Sequence, residues 1–308
     1  MTEHLIEPTL ETAHDVFSRD RKPILTIDPG DTVVVRTLDA HGNLERNSAT
    51  GAPPERLLPE ARGHCLCGPI AVRGAEPGMH LAVHLADIRP GEWGWTVAGR
   101  RDNWLNRRLR LTPDDAAMLT WDLDPDARVG TSHLGHVVDL NPFLGVVGLP
   151  PAEPGEHSTT PPRPCGGNID CKDLVAGSTL FLPVTVPDAL LSVGDGHAAQ
   201  GDGEVSGTAI ECPMTTELGV DLVTDAALPV IHATTPTSRI TFGFDENLNE
   251  AMALALDAMV TWLERSTDLS RPQALALASV VVDLRVTQVA NEVWGVHAVL
   301  ADDAIRTP

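Results

Sequence analysis

The stretch PILTIDPGDTVVVRTLD, Pro23 to Asp39, decides the fold class. It reads as a strand, a turn at Asp28-Pro29-Gly30-Asp31, and a second strand rich in valine. Proline and glycine punctuate the chain, and β-branched residues suit a pleated surface. GPIAVRGAEPGMHLAVHLADI, Gly68 to Ile88, repeats the device with a turn at Glu76-Pro77-Gly78. Within it Leu81, Val83 and Leu85 fall on alternate positions and share one face, as a half-buried strand requires.

Outward from these segments the same punctuation recurs: 26 glycines and 25 prolines among 308 residues imply many short strands and turns. Residues 1–140 read as a β-rich region in which 41–62 and 98–118 are polar loops. Residues 141–235 form a central β-rich region with strands at STLFLPV and ALLSV, and PVIHATTPTS near its end reads as a linker. Residues 236–308 change character. Asn247-x-x-Glu250 resembles a capping box, and Leu248, Met252, Ala255, Leu256, Met259 and Leu263 follow helical spacing. Ser270-Arg-Pro-Gln273 opens a second helix; ASVVVDLRVTQVA suits either its continuation or a strand, and Trp294 to Leu300 reads as a strand. The expected fold class is mainly β, a sandwich or barrel-like body with a small C-terminal α+β part.

A formal net charge of −21 argues against nucleic acid as a partner, since like charges repel a phosphate backbone. No run of about 18 apolar residues is present to span a membrane, and the first residues lack the basic and apolar regions of a signal peptide. Five cysteines fit a reducing compartment better than a disulfide framework, so the expectation is cytoplasmic.

Chemistry concentrates in SVGDGHAAQGDGEVSGTAIE, Ser192 to Glu211, with four acids, one histidine and five glycines. If LLSVGDGH is extended, Asp195 and His197 project from one face with Cα atoms roughly 6.6 Å apart, and carboxylate plus imidazole is a common zinc ligand mixture. Asp202 and Glu204 can add a ligand, a supporting carboxylate or a general base. A Gly-Asp turn whose acids face water explains the same residues. In GGNID, Gly166 to Asp170, Asn168 can stabilise an oxyanion and Asp170 can ligate a metal, although Asn and Asp after paired glycines are also ordinary turn chemistry.

Other features carry less. His80-x3-His84 lies on a strand pattern, where four residues span about 13 Å, so a solvated strand face is expected rather than a zinc pair. Cys65-x-Cys67 has no second pair. Cys165, Cys171 and Cys212 sit in no nucleophile motif and read as small buried residues. His157 and His297 read as structural histidines.

Taken together, the blocks FSRDRKPILTIDPGDTVVVRTLDA, GPIAVRGAEPGM, NPFLGVVGLPPAEPGEHSTTPPRPCGGNIDCKDLVAGSTLFLPV, SVGDGHAAQGDGEVSGTAIECPM, SRITFGFDENLNEA and DLRVTQ resemble the acetamidase/formamidase family of amide hydrolases. The likeness runs over nearly the whole chain. It implies amidase action on small aliphatic amides, a β-rich fold with a small α/β C-terminal part, a homo-oligomer such as a dimer, and zinc or sometimes calcium. It carries over Asn168, Asp170, Asp195, His197, Asp202, Glu204 and Glu211 as matching positions. His64-Cys65-Leu66-Cys67 and Cys165 depart from the family pattern at positions that bear on substrate size.

The mechanism expected from these residues is metal-assisted hydrolysis. Asp170, Asp195 and His197 hold zinc, and Glu204 or Asp202 moves the proton. Asn168 or the backbone N–H groups of Gly166 and Gly167 stabilise the oxyanion, with Glu211 also at the substrate. Two alternatives are a covalent amidase with a Cys or Glu nucleophile activated by Lys172, and a non-enzymatic β-sandwich that binds a small ligand or calcium.

Overall fold

A computed structural model describes residues 2–48 and 53–306. Its two largest sheets face each other across one core. The nine-stranded sheet runs in the order Glu3–Ile6, Thr32–Thr37, Met214–Val223, His80–Pro90, Thr179–Pro183, His232–Thr234, Ser238–Asp245, Trp294–Ala301, Val282–Gln288. The six-stranded sheet contains Gly166–Asn168, Phe143–Gly148, Leu191–His197, Leu66–Val72 and Ala13–His14 in that order, with Leu25–Ile27 also paired to Leu66–Val72. A four-stranded sheet, 137–139, 129–132, 117–124 and 93–98, flanks them.

The strand-turn-strand devices carry the chain between sheets. Leu25–Ile27 pairs in the smaller sheet, and after the Asp28–Asp31 turn Thr32–Thr37 pairs in the larger one. Leu66–Val72 and His80–Pro90 divide in the same way around their own turn. Each crossing sends an apolar face inward from both sides. Val33, Val35, Leu81, Val83 and Leu85 of one sheet thus join Ile27, Ile70, Leu144 and Val193 of the other in a single cluster. Burying each such side chain stabilises by about 1.5–3 kcal/mol.

His84 is exposed as expected, but His80 is buried, with its ring 5.9 Å from that of His232. The stretch that reads as a linker contains a strand, His232–Thr234, inside the larger sheet, because its backbone pairs with Thr179–Pro183 and Ser238–Asp245. Within 98–118 lies a short helix, Trp104–Arg108, capped by the Asn103 side chain.

At the C-terminal end, Asn247 caps the helix Leu248–Ser266 through the N–H of Asn249, and the Ser270/Gln273 capping box opens the helix Arg271–Val281. The ambiguous ASVVVDLRVTQVA divides at that point: helix to Val281, strand from Val282. The longer helix lies directly on the larger sheet. A Cβ on Gly243 would stand 1.9 Å from the carbonyl oxygen of Ala251, so only glycine permits this approach. No helix among the described residues is long and apolar enough to cross a membrane.

Candidate active site

Leu191–His197 is an extended central strand between Phe143–Gly148 and Leu66–Val72, and all seven of its residues are buried. The Gly-Asp-Gly segment is therefore not a surface turn. Asp195 and His197 project together, with Oδ2 to Nε2 at 3.5 Å. Asp170 follows the strand Gly166–Asn168, and its N–H donates to the carbonyl of Gly145 at 3.2 Å. Glu211 is paired across from His197, and its Oε2 lies 3.3 Å from Nε2. Glu204 enters from the loop after the strand. Gly203 holds this loop by donating to the Thr287 carbonyl and accepting from the Val289 N–H.

The orientation of His197 follows from Gln200. The Gln200 Nε2 donates to the Asp170 carbonyl at 2.7 Å, so its Oε1 faces the His197 Nδ1 at 2.9 Å and accepts that proton. Nε2 is thereby aimed at the acids. Asp170, Asp195 and His197 offer ligand atoms within 4.8 Å of one another, as do His197, Glu204 and Glu211. Both carboxylate oxygens of Asp170, one each of Glu204 and Glu211, the His197 Nε2 and the Asn168 Oδ1 are buried without a hydrogen-bond partner. Buried polar groups are seldom left this way, and carboxylates less often still.

Electrostatics agree with that crowding. Burial first, and then the neighbouring Asp195 and Glu211 charges, push the Asp170 carboxyl well above its usual range. Glu204 is raised likewise by burial and by Asp170, and Glu211 is pushed up to about 7, chiefly by burial. Burial works against ionisation of Asp195 too, but the His64 and His197 rings hold it below its usual range. Burial opposes a charge on His197, yet the Glu211 and Asp195 carboxylates raise its pKa well above the ordinary histidine value. The cluster thus calls for positive charge, which a proton or a metal cation can supply. Its donors, carboxylate oxygens with one imidazole nitrogen, suit zinc, and the surplus of oxygens also suits calcium.

Asp170, Asp195 and Glu204 hold left-handed backbone at φ +54°, +59° and +44°. Such conformations cost of order 1–3 kcal/mol in a residue with a side chain, and they cluster at functional sites.

A cavity of about 190 Å³ opens onto this cluster, with His41, His64, Trp95, Asn168, Glu204 and Glu211 among its walls. Asp39, buried below, accepts from Trp95 Nε1 at 2.6 Å and from Asn43 Nδ2 at 2.7 Å, which anchors that wall.

Three contributors escape a reading of the sequence. A Cβ on Gly145 would lie 2.5 Å from Asp195 Oδ2 and 2.8 Å from both Asp170 Oδ1 and His197 Cε1, so the site exists because this strand residue has no side chain. Gln200 is an unremarkable amide until its two bonds are seen. His64, which the sequence marks only as a departure from the family, lines the cavity with Nε2 3.9 Å from Asp195 Oδ2, its own Nδ1 3.1 Å from Thr159.

Some expected residues lie elsewhere. Asp202, one residue from Glu204's glycine, faces outward, where Arg285 donates to both its oxygens at 2.8 and 3.0 Å and Lys172 stands 3.4 Å away. The Gly166 N–H donates to the Arg163 carbonyl at 3.0 Å and is not free for an oxyanion. Gly167 packs on the neighbouring strand: a Cβ on Gly148 would meet its nitrogen at 2.4 Å. Neither glycine lines the cavity. The five cysteines are buried and none lines it either; burial pushes Cys65 and Cys67 up to about 12 and Cys165 up to about 11. His157 bonds the Glu153 carbonyl at 3.0 Å, and His297 lies 2.8 Å from Thr287 Oγ1, both outside the cavity.

The fold and site define a β-sandwich protein with a buried, carboxylate-rich cluster beneath a small polar cavity. The chain belongs to the acetamidase/formamidase family, whose model matches residues 3–157 and 152–300. It is 31% identical over 232 residues to a putative formamidase of Schizosaccharomyces pombe, covering 59% of this chain and 56% of that protein. To the acetamidase of Mycolicibacterium smegmatis it is 29% identical over 269 residues, covering 68% and 66%. The chain thus spans between about half and two thirds of the length of these relatives. Against the crystal structure of an acetamidase from Bacillus halodurans it superposes with a TM-score of 0.84 at 28% identity, over 97% of each chain.

Proposed function

We propose that the chain hydrolyses small aliphatic amides to ammonia and a short carboxylate. The observation that carries this reading is the set of unpartnered buried oxygens and the His197 Nε2 at the floor of a small polar cavity, in a member of this family.

Asp170, Asp195, His197 and Glu211 would hold a divalent cation, zinc or calcium. When bound, such an ion polarises an amide carbonyl and makes water more acidic. The protein's own part is placement and proton transfer. Gln200 keeps the His197 Nε2 directed at the acids. Asn168 reaches the cavity to donate from its side-chain amide to the carbonyl oxygen as negative charge develops there. Glu204, with its raised pKa, takes a proton from the attacking water and delivers it to the nitrogen as the C–N bond breaks. Trp95 and His41, stacked at 4.6 Å, exclude bulk solvent from one side.

His197→Ala and Asp170→Ala should each abolish ammonia release and lower metal content while the fold persists. A His197→Ala protein with full activity and full metal content would contradict the assignment.

A further inference from the structure

The cavity has a second, basic set of walls. Arg56 and Arg62 line it beside His41 and His64, and Arg101 stands at the same cavity. This is unexpected in a chain with 43 acids against 22 lysines and arginines. Some arginines elsewhere hold acids, as Arg36, Arg73 and Arg89 do at 2.7 Å, while others, such as Arg21, Arg128 and Arg163, donate to backbone carbonyls. Among the described residues, the Arg56 and Arg62 guanidinium groups have no acid within 4.0 Å. The neighbours in sequence that lie outside the described residues, Ala49, Thr50, Gly51 and Ala52, carry no charge. Arg101 donates to the Ala290 carbonyl at 3.0 Å and, among the described residues, has no carboxylate within 4.0 Å.

Arg56 is held in place. Asn43 and Arg56 pair through their backbones, Leu57 donates to the Gly42 carbonyl at 2.9 Å, and Asn43 is tied to buried Asp39. Beside it His41 is pushed down to about 4, by burial first and then by Arg56, His64 and Arg100, against the opposing Asp195 carboxylate. The volume also exceeds what the simplest amides need. A cavity of about 190 Å³, where about 10–15 Å³ suffices to hold one water, has space for acetamide and a further small group.

We infer that the preferred substrate is an amide that also bears a carboxylate, a monoamide of a short dicarboxylic acid, with its carboxylate received by Arg56 and Arg62. This rests on the amidase reading above and names its substrate class. A guanidinium fork matches a carboxylate with two parallel hydrogen bonds, and neither arginine has to give up an existing acid to make them. The amide end then lies toward Asn168, Glu204 and the acid cluster. The reaction balances without a further reactant. Water oxygen bonds to the amide carbon, the C–N bond breaks, the water protons leave with nitrogen as ammonium, and the product is the dicarboxylate.

The test compares ammonia release from malonamate and acetamide by the metal-loaded protein and by Arg56→Gln, Arg62→Gln and the double variant, with thermal melting to establish that each is folded. The parent should show a higher kcat/KM for malonamate than for acetamide. That ratio should fall about tenfold or more in the double variant, as loss of hydrogen bonds between charged groups implies. The parent's KM for malonamate should rise with added salt. Turnover of acetamide with a ratio at or below one, or a ratio the arginine variants leave unchanged, overturns this inference and leaves the amidase reading standing. No ammonia from either amide overturns both.

Discussion

Gly145→Ala places one methyl group at the centre of the proposed site and changes nothing else. Gly145 lies in the strand Phe143–Gly148, and its backbone is outside the left-handed region, so alanine is locally permitted. The added carbon would stand 2.5 Å from Asp195 Oδ2 and 2.8 Å from Asp170 Oδ1 and His197 Cε1. Ordinary contact begins near 3.4 Å, so the side chains around this point must open by roughly 0.5–1 Å, and all three belong to the cluster. Overpacking of this kind costs about 1–3 kcal/mol of stability. Misplacement of reacting groups by about 1 Å costs on the order of a hundredfold in rate, or about 2.7 kcal/mol of barrier. The assay is kcat/KM for acetamide together with metal stoichiometry and melting temperature. Gly219→Ala is the control, since its Cβ would meet only His84 atoms at 3.5 and 3.9 Å, which is ordinary contact. Gly145→Ala is expected to lose at least a hundredfold in rate and part of its metal, with Gly219→Ala close to the parent. A folded Gly145→Ala protein with parental rate and metal content would refute the reasoning.

Other perturbations separate the parts of the site. Gln200→Leu removes the acceptor that orients His197; metal affinity should drop about 10–100-fold, read by titration against a chelator. Arg285, on the strand Val282–Gln288, ties the loop bearing Glu204 to the sheet through Asp202 at 2.8 Å and also holds Asp173 at 2.6 Å. Arg285→Gln should therefore lower kcat more than it raises KM, and Asp202→Asn, which weakens the same tie but keeps one acceptor and touches nothing in the cavity, should move kcat in the same direction by less. His14 and His232 are held down to about 4, mainly by burial, whereas an unfolded chain protonates them near 6.5. Both are neutral in the folded state, so between pH 6.5 and 4 the unfolded chain binds more protons and stability falls as pH falls. Each accounts for about 3 kcal/mol in total across that window. Melting temperature should drop through this window, less steeply in His14→Gln and His232→Gln; equal slopes in parent and variants would count against it.

The β class and the Asp195/His197 pair were legible because strand periodicity is local: two residues separated by one share a face wherever the strand goes. The crossing between sheets was not. A strand, a Pro-Gly turn and a strand look alike whether the turn closes a hairpin or hands the chain to the opposite layer, and long-range pairing alone decides. Asp202 and Glu204 show the same limit in a loop, where no periodicity tells which acid turns inward. Gly145 was invisible because its role is an absence of atoms, felt only when Asp170 and Asp195 arrive from distant segments. His80 was misplaced because alternation identifies faces but not whether the second face is covered, and here His232 covers it.

The most direct test of the central claim is ammonia release from acetamide by one preparation in three states: as purified, after exhaustive chelation, and after zinc or calcium is restored. The account predicts activity that disappears with the metal and returns with one of the two ions, while His197→Ala recovers none. Activity unchanged after verified removal of the metal would contradict it.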